Sequence, residues 1–349
     1  MITEKFFTKA LLNWNKNVNK REMPWKYETD PYKIWISEII LQQTRVSQGL
    51  EYYNRFILRF PNINSLATAS EAVVFKHWEG LGYYTRCKNI IATAKYISGN
   101  LKGIFPNQYD AILQLKGIGS YTASAIASFA YNLPYAVLDG NVFRLLSRFF
   151  GVHTAVDSLE GKRFFNSLAQ ELLDKNLPGR YNQAIMDFGA TVCKPVPSCE
   201  ICPLNKRCIA FASAIQLQLP VKEKKIVKRT RWFYFLVVRY RNKEYIRKRE
   251  AKDIWQNLYE YILLEMPGAK TTGAIQASKE FRAIFKGTSY TIGEVSVEYQ
   301  QQLTHQTIVG RFITITVKRP LGLENYQLAS ADDIKRLPFP KFITTYLKD

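Results

Sequence analysis

The sequence predicts two parts: an all-α N-terminal domain spanning residues 1–215, and a smaller α+β domain spanning residues 232–349. Three observations carry this. Apolar residues recur at helical spacing through residue 192, interrupted only by glycine and proline. A basic tract, residues 216–231, then breaks the pattern. Beyond it come short runs of aromatic and β-branched residues, the composition of strands.

At 349 residues and 47% hydrophobic, the chain has enough apolar material for a substantial core. No apolar run approaches the ~18 residues a membrane span needs. The N-terminus reads as an amphipathic helix without a signal-peptide cleavage region, so a soluble cytoplasmic protein with no membrane partner is expected. Lysine and arginine number 49 against 29 acids, a formal charge of +20, which makes a polyanion the first partner to consider. Residues 222–252 hold thirteen basic and three acidic residues, half of that excess.

After the opening helix, Asp30-Pro31 is an N-cap followed by proline at the first helical position, and the helix it starts is read from Tyr32 to Thr44. Within it Glu38 has Ile34, Trp35, Leu41 and Gln42 as its helical neighbours, so its carboxyl lies along a mostly apolar face. Desolvation there favours the neutral form that a general acid requires; the alternative is a glutamate at the rim of the core reaching for water. Further amphipathic helices fill residues 50–111, with breaks at Pro61 and between Gly103 and Pro106. Among them Gly80-Leu81-Gly82-Tyr83-Tyr84 is a glycine-flanked aromatic pair, suited to core packing or to wedging a ring into an emptied base-pair position.

Residues 111–132 contain the turn Gly117-Ile118-Gly119, whose glycines leave backbone N–H groups bare, followed at once by a helix from about Tyr121 to Tyr131. Such a turn is either an ordinary inter-helix connection or, with the free amides of the helix start, an anion site. Asp139 follows 18 residues after Tyr121, before the apolar-periodic helix of Phe143, Leu145, Leu146 and Phe149. It reads as a helix N-cap or as an isolated carboxylate facing a ligand. Gln183, on the last long helical stretch, carries an amide able to read a purine edge or simply to face solvent.

Four of the five cysteines, Cys193, Cys199, Cys202 and Cys208, fall within 16 residues with intervals of five, two and five; Cys87 stands apart as a buried thiol. One knuckle instead of two favours a cubane iron–sulfur cluster over Cys₄ zinc. The loop 193–208 would then present Lys194, Lys206 and Arg207 to phosphate. The tract 216–231 reads as a solvated interdomain tether, with nuclear import as the alternative. Strands are expected over 232–239, 244–247, 258–264, 296–301 and 312–318, with a helix over 331–337.

Taken together, Ser37-Glu38 with Leu41-Gln42-Gln43-Thr44, the glycine–tyrosine segment, the hairpin turn, Leu138-Asp139-Gly140-Asn141-Val142, the four cysteines and the basic linker resemble the MutY-type adenine DNA glycosylases of the helix–hairpin–helix superfamily. The likeness extends over nearly the whole chain. It implies a helical glycosylase domain with an iron–sulfur loop and a C-terminal Nudix-like domain that reads 8-oxoguanine. It further implies a monomer, associated with the nucleoid, that binds double-stranded DNA and hydrolyses adenine from A:8-oxoguanine or A:G mispairs, using a 4Fe–4S cluster held by Cys193, Cys199, Cys202 and Cys208.

By the same resemblance, Glu38 protonates adenine N7, Asp139 stabilises the positive sugar with Asn141 beside it, and Tyr121 shields the sugar centre. Gln43 and Tyr83 fill or wedge the mispair, Gln183, Trp25 and Lys26 belong to the adenine-binding wall, Gly117 and Gly119 grip phosphate, and Thr304-His305 forms the recognition loop. Tyr121 stands where endonuclease III-like relatives carry a Schiff-base lysine, so a monofunctional enzyme is expected over a bifunctional glycosylase/lyase. Keeping both acids argues against an inactive DNA-binding relative. The chain departs from the pattern in its shorter first cysteine interval, in Lys26 and Lys116, and in lacking the Nudix metal-binding box.

Overall fold

The computed structural model describes residues 2–44, 46–223 and 227–349. By its internal contacts the chain divides into two compact units, Met1–Thr68 with Asn89–Lys225, and Ala69–Lys88 with Ile226–Asp349.

The first unit is helical. Its elements are α1 (Ile2–Asn17), α2 (Pro31–Leu41), α3 (Val46–Arg59) and α4 (Ile63–Thr68), and after α5 (Glu71–Trp78) it continues with α6 (Tyr84–Asn100), α7 (Tyr109–Leu113), α8 (Ser120–Tyr131), α9 (Gly140–Phe150), α10 (Leu159–Leu172), α11 (Pro178–Thr191) and the short α12 (Ile209–Ala212). The Asp30 carboxylate accepts the Tyr32 N–H at 2.9 Å, and Pro31 opens the helix as its sequence predicts. The far end differs from expectation. The helix stops at Leu41, and Gln43 takes a left-handed φ of 57°, so Gln42, Gln43 and Thr44 form a turn.

Helix α8 is short-sided: Thr122, Ala123, Ser124, Ala125, Ala127 and Ser128 are all buried, letting α2, α7 and α11 approach it closely. Helix α9 is strongly two-faced. It lays Leu145, Leu146 and Phe149 against Phe7, Leu11 and Trp14 of α1 and Phe188 of α11 in one core. Helix α11 touches α1, α8 and α9 together, and is the inner element of the unit.

The second unit is a mixed sheet with flanking helices. Its strands are β1 (Arg229–Tyr240), β2 (Lys243–Lys248), β3 (Tyr259–Glu260), β4 (Ile262–Met266), β5 (Tyr290–Val295), β6 (Tyr299–Gln302), β7 (Gln306–Val317) and β8 (Gln327–Ala329), with α13 (Thr272–Gln276), α14 (Lys279–Ile284), α15 (Ala331–Arg336) and α16 (Lys341–Tyr346). The spine is the parallel pair β1–β7, in register from Arg229↔Gln306 to Tyr240↔Val317, with β2, β4, β5 and β6 added antiparallel. Gly310 is required there, because a Cβ would fall 1.8 Å from the Phe233 carbonyl oxygen on the neighbouring strand.

Sequence periodicity found β1, β2, β6 and α15 to within a few residues, and only the second half of β7. The run expected over 258–264 is two strands, broken at Tyr261, and β5 and β8 went unread. The tract 216–231 is anchored where it is described: Leu219 is buried, Val221 accepts the Val156 N–H at 3.0 Å, Glu223 N–H donates to Asp157, and β1 already begins at Arg229. A freely solvated tether does not describe those residues; positions 224–226 lie outside the described residues.

Candidate active site

A cavity of about 1020 Å³ opens in the helical unit, and Glu38, Tyr121, Asp139 and Asn141 all line it. Three helices deliver them. α2 brings Glu38 from its buried face, α8 brings Tyr121 from its first turn, and α9 begins at the cavity wall with Asp139 as its N-cap.

Glu38 is 7% exposed, and its Oε2 accepts the Tyr121 hydroxyl at 2.7 Å. Burial pushes its carboxyl up to about 7; the tyrosine hydrogen bond opposes this in part, and the nearby Asp139 charge adds to it. Burial likewise holds Tyr121 far up as a neutral phenol. Asp139 sits in a different setting. Its Oδ1 accepts the N–H groups of Asn141 (2.9 Å) and Val142 (2.8 Å), and its Oδ2 accepts Asn141 Nδ2 at 2.8 Å. Burial raises its pKa, while these three donors and Arg144 pull it back down. The two acids thus differ in setting, one hydroxyl donor at Glu38 against three N–H donors at Asp139, and the Asp139 charge favours the proton on Glu38.

Asn141 is fixed in turn: its Oδ1 accepts Arg144 Nη2 at 2.8 Å, and Arg144 also donates to Gly189 O (2.7 Å) and Cys193 O (2.8 Å). A chain of hydrogen bonds thus runs from the Asp139 carboxylate to the backbone of the first loop cysteine. Cys193, Cys199, Cys202 and Cys208 line one small pocket with Arg148, whose Nη1 lies 3.6 Å from Cys193 Sγ, and none forms a disulfide. Burial lifts the thiols of Cys202 (to about 12), Cys208 and Cys199, and the neighbouring sulfurs add to it. Among the described residues no trio of His, Cys, Asp or Glu is grouped tightly enough for a single metal ion. Four cysteines around one pocket are the soft donor set that a thiolate-held metal group requires.

Gln43, Trp25 and Gln183 also line the cavity, but Lys26 does not. Its ammonium is turned inward, donating to Arg21 O at 2.7 Å and pairing with Asp187 Oδ2 at 3.3 Å. The cations that do line the cavity are Lys16, Arg21 and Arg180; of these Arg21, which sequence reading missed, is held by Asp187 Oδ1 at 2.8 Å. Asp187 is fully buried and also accepts from Asn19 and Gln183. A signal existed: Asp187 falls in the apolar register of Tyr181, Ala184, Ile185 and Phe188, the same anomaly that marks Glu38.

The hairpin turn splits its two glycines by role. Gly117 has φ of 80° and a Cβ there would meet Asn89 at 2.6 Å, so it is structural. Gly119 meets nothing within 4 Å, and the helix start it precedes has no side-chain cap, in contrast to the Asp139-capped start of α9. In the second unit, the Tyr83 and Thr304 hydroxyls are hydrogen-bonded to each other, with Tyr83 in a left-handed turn and the Arg86 guanidinium 5.2 Å from its ring centroid. Thr304 and His305 occupy the turn between β6 and β7, where His305 O accepts the Arg229 N–H.

Two acids in one cavity beside a helical hairpin define the class: residues 36–171 match the HhH-GPD superfamily base excision DNA repair protein family. The chain is also similar in structure to a thermostable thymine-DNA glycosylase, with a TM-score of 0.56 and 27% identity over 60% of this chain and 97% of that one. Among curated proteins it is 38% identical over 265 residues to the adenine DNA glycosylase of Buchnera aphidicola subsp. Baizongia pistaciae, covering 74% of each chain. It is 37% identical over 223 residues to that of Homo sapiens, covering 61% of this chain and 41% of the human one. The chain belongs to the adenine DNA glycosylase family, within the helix–hairpin–helix base-excision repair glycosylases.

Proposed function

We propose that this chain excises adenine paired with 8-oxoguanine or guanine in duplex DNA, by hydrolysis and without cutting the strand. The observation that carries the reading is that Glu38 and Asp139 share one cavity in contrasting settings, Glu38 buried against the Tyr121 hydroxyl and Asp139 held by three N–H donors.

Adenine departs poorly as an anion, so its N7 must gain a proton as the glycosidic bond lengthens, while positive charge grows on the sugar. Tyr121 occupies Glu38 Oε2, leaving the proton on Oε1 for the base. Asp139, fixed by three donors, supplies the negative charge facing the sugar without needing to reorganise. Arg21 and Gln183, both braced by Asp187, offer hydrogen-bond donors to the edge of an extruded purine, and Trp25 offers a ring face. No lysine stands at Tyr121, the position a strand-nicking mechanism would use.

Phosphate would be held by the open amides at Gly119 and the start of α8. Cys193, Cys199, Cys202 and Cys208 would hold a 4Fe–4S cluster whose contribution, when bound, is to fix the loop 193–208 and its cations. In the second unit, read here as Nudix-like in fold, Tyr83 and Thr304 would meet the opposite base.

Single-turnover release of adenine from an A:8-oxoguanine duplex, with no borohydride-trapped adduct, is the expected result. Intact glycosidic bonds, or a stoichiometric lysine adduct, would contradict the reading. Thr304→Ala should narrow the rate preference for A:8-oxoguanine over A:G while leaving A:G cleavage close to wild type.

A further inference from the structure

Asp139 is placed by the chain that leads to it, residues 132–139 between α8 and α9. This connection starts exposed at Asn132 and Pro134 and dips into the helical core at Val137, with no sheet to pair its peptide groups, and N–H and C=O groups drawn out of water require partners. Two side-chain carboxamides supply them. From α11, Asn182 donates through Nδ2 to Tyr135 O at 2.8 Å and accepts the Val137 N–H on Oδ1 at 3.2 Å. From α10, Gln170 donates through Nε2 to Pro134 O at 2.7 Å and accepts the Ala136 N–H on Oε1 at 3.0 Å.

Each carboxamide therefore spans the C=O of one residue and the N–H of the residue two further on, as a neighbouring strand would. The two take alternate peptide groups, which point to opposite sides of an extended chain. Asn182 is fully buried and its Nδ2 also donates to Ser128 Oγ of α8 at 2.8 Å. It thereby locks α8, α11 and the connection together two residues before Asp139.

We infer that Asn182, assisted by Gln170, is a positioning residue for the reaction, setting where the Asp139 carboxylate stands relative to the sugar. The inference rests on the reading of Asp139 as the group that faces the cationic sugar. Asn182 does not line the cavity; it reaches it through the backbone of residues 135–139 and through Ser128, which does line it, and Gln170 isolates the first route because it bonds the connection alone.

The test uses the full chain and two duplexes with 8-oxoguanine in the opposite strand. One carries a cationic pyrrolidine in place of the target sugar, the other a neutral tetrahydrofuran. The ratio of their Kd values reports the carboxylate's hold on positive charge. Asn182→Ala should reduce the preference for the cation by about 10-fold or more, in line with the cost of a misplacement near 1 Å. Tetrahydrofuran binding should stay within about 3-fold of wild type.

Gln170→Ala, at a half-buried position that tolerates truncation, should lower the same ratio by about 3-fold. This second variant decides the matter if Asn182→Ala weakens both duplexes together through misfolding. An unchanged ratio in Gln170→Ala, or in a folded Asn182→Ala, would overturn the inference. Should Asp139→Asn keep the wild-type ratio, the role of Asp139 fails instead, and the two failures are told apart.

Discussion

At the scale of single residues, Glu38 is where function and stability oppose one another. Its carboxyl is pushed up to about 7, so between its ordinary 4.5 and that value the folded protein retains a proton the unfolded chain has lost. Stability must then fall as pH rises through this window, by up to about 3 kcal/mol from this group. Burial raises Asp139 too, which acts in the same direction. Glu38→Gln should leave mispair binding near wild type, abolish adenine release, and make the protein more stable than wild type at pH 8 but not at pH 4. Denaturant titration at the two pH values, beside a single-turnover assay, checks all three. The same proton sets the rate in the wild type: single-turnover cleavage should decline as pH climbs past about 7, and a flat profile from pH 6 to 9 would remove Glu38 as the acid.

Among the elements, α11 carries the most. Along four turns it presents Asn182 to the connection, Gln183 and Met186 to the cavity, Asp187 to Arg21 and Lys26, and Gly189 to α9. A Cβ at Gly189 would lie 2.8 Å from Asn141 Cβ and 2.9 Å from its carbonyl oxygen, so Gly189→Ala must force α9 away from α11. Such overpacking costs about 1–3 kcal/mol. Because Asn141 holds Asp139, adenine release should fall with it; wild-type turnover would show that the α9 start adjusts freely. This helix also marks how far the sequence could be read. Glu38 and Asp139 were legible because each carries a local signal, an acid in an apolar register and an N-cap after a glycine turn, whereas Tyr121 and Asn141 were reached through the family resemblance. Arg21 was not, because its place on the cavity wall depends on Asp187, distant in sequence and supplied by another helix. The end of α2 was missed because no breaker follows Leu41, and only Gln43's left-handed turn stops the helix. β5 was missed because both its faces are largely exposed, leaving no alternation to detect.

For the whole molecule, the charge excess is less free than composition suggests. Between residues 222 and 252, Arg231 pairs with Asp253 and Glu265, Arg239 with Glu244, Arg247 with Glu260, and Arg249 with Glu260 and Asp253. Four arginines of this basic cluster thus neutralise acids of their own unit and are not offered whole to a polyanion. That second unit includes residues 69–88, far from the rest of it in sequence. Lys76 Nζ donates to Leu337 O at 3.0 Å, and Glu79 Oε1 accepts the N–H of the buried Phe339 at 2.8 Å, with Lys76 and Glu79 themselves paired at 2.9 Å. These bonds mount α5 and the turn after it on the segment 337–339, and the same turn ends in Tyr83, bonded to Thr304. Glu79→Ala leaves the Phe339 N–H without its acceptor and Lys76 without its carboxylate, at an expected cost of about 1–3 kcal/mol. The cavity chemistry lies in the other unit, so adenine release from A:G should stay within about 3-fold of wild type. What should change is the advantage of A:8-oxoguanine over A:G, because Tyr83 no longer has a fixed approach to Thr304. Paired single-turnover rates on the two duplexes decide it, and an unaltered ratio in a variant measurably destabilised would show that the mounting of α5 has no part in reading the opposite base.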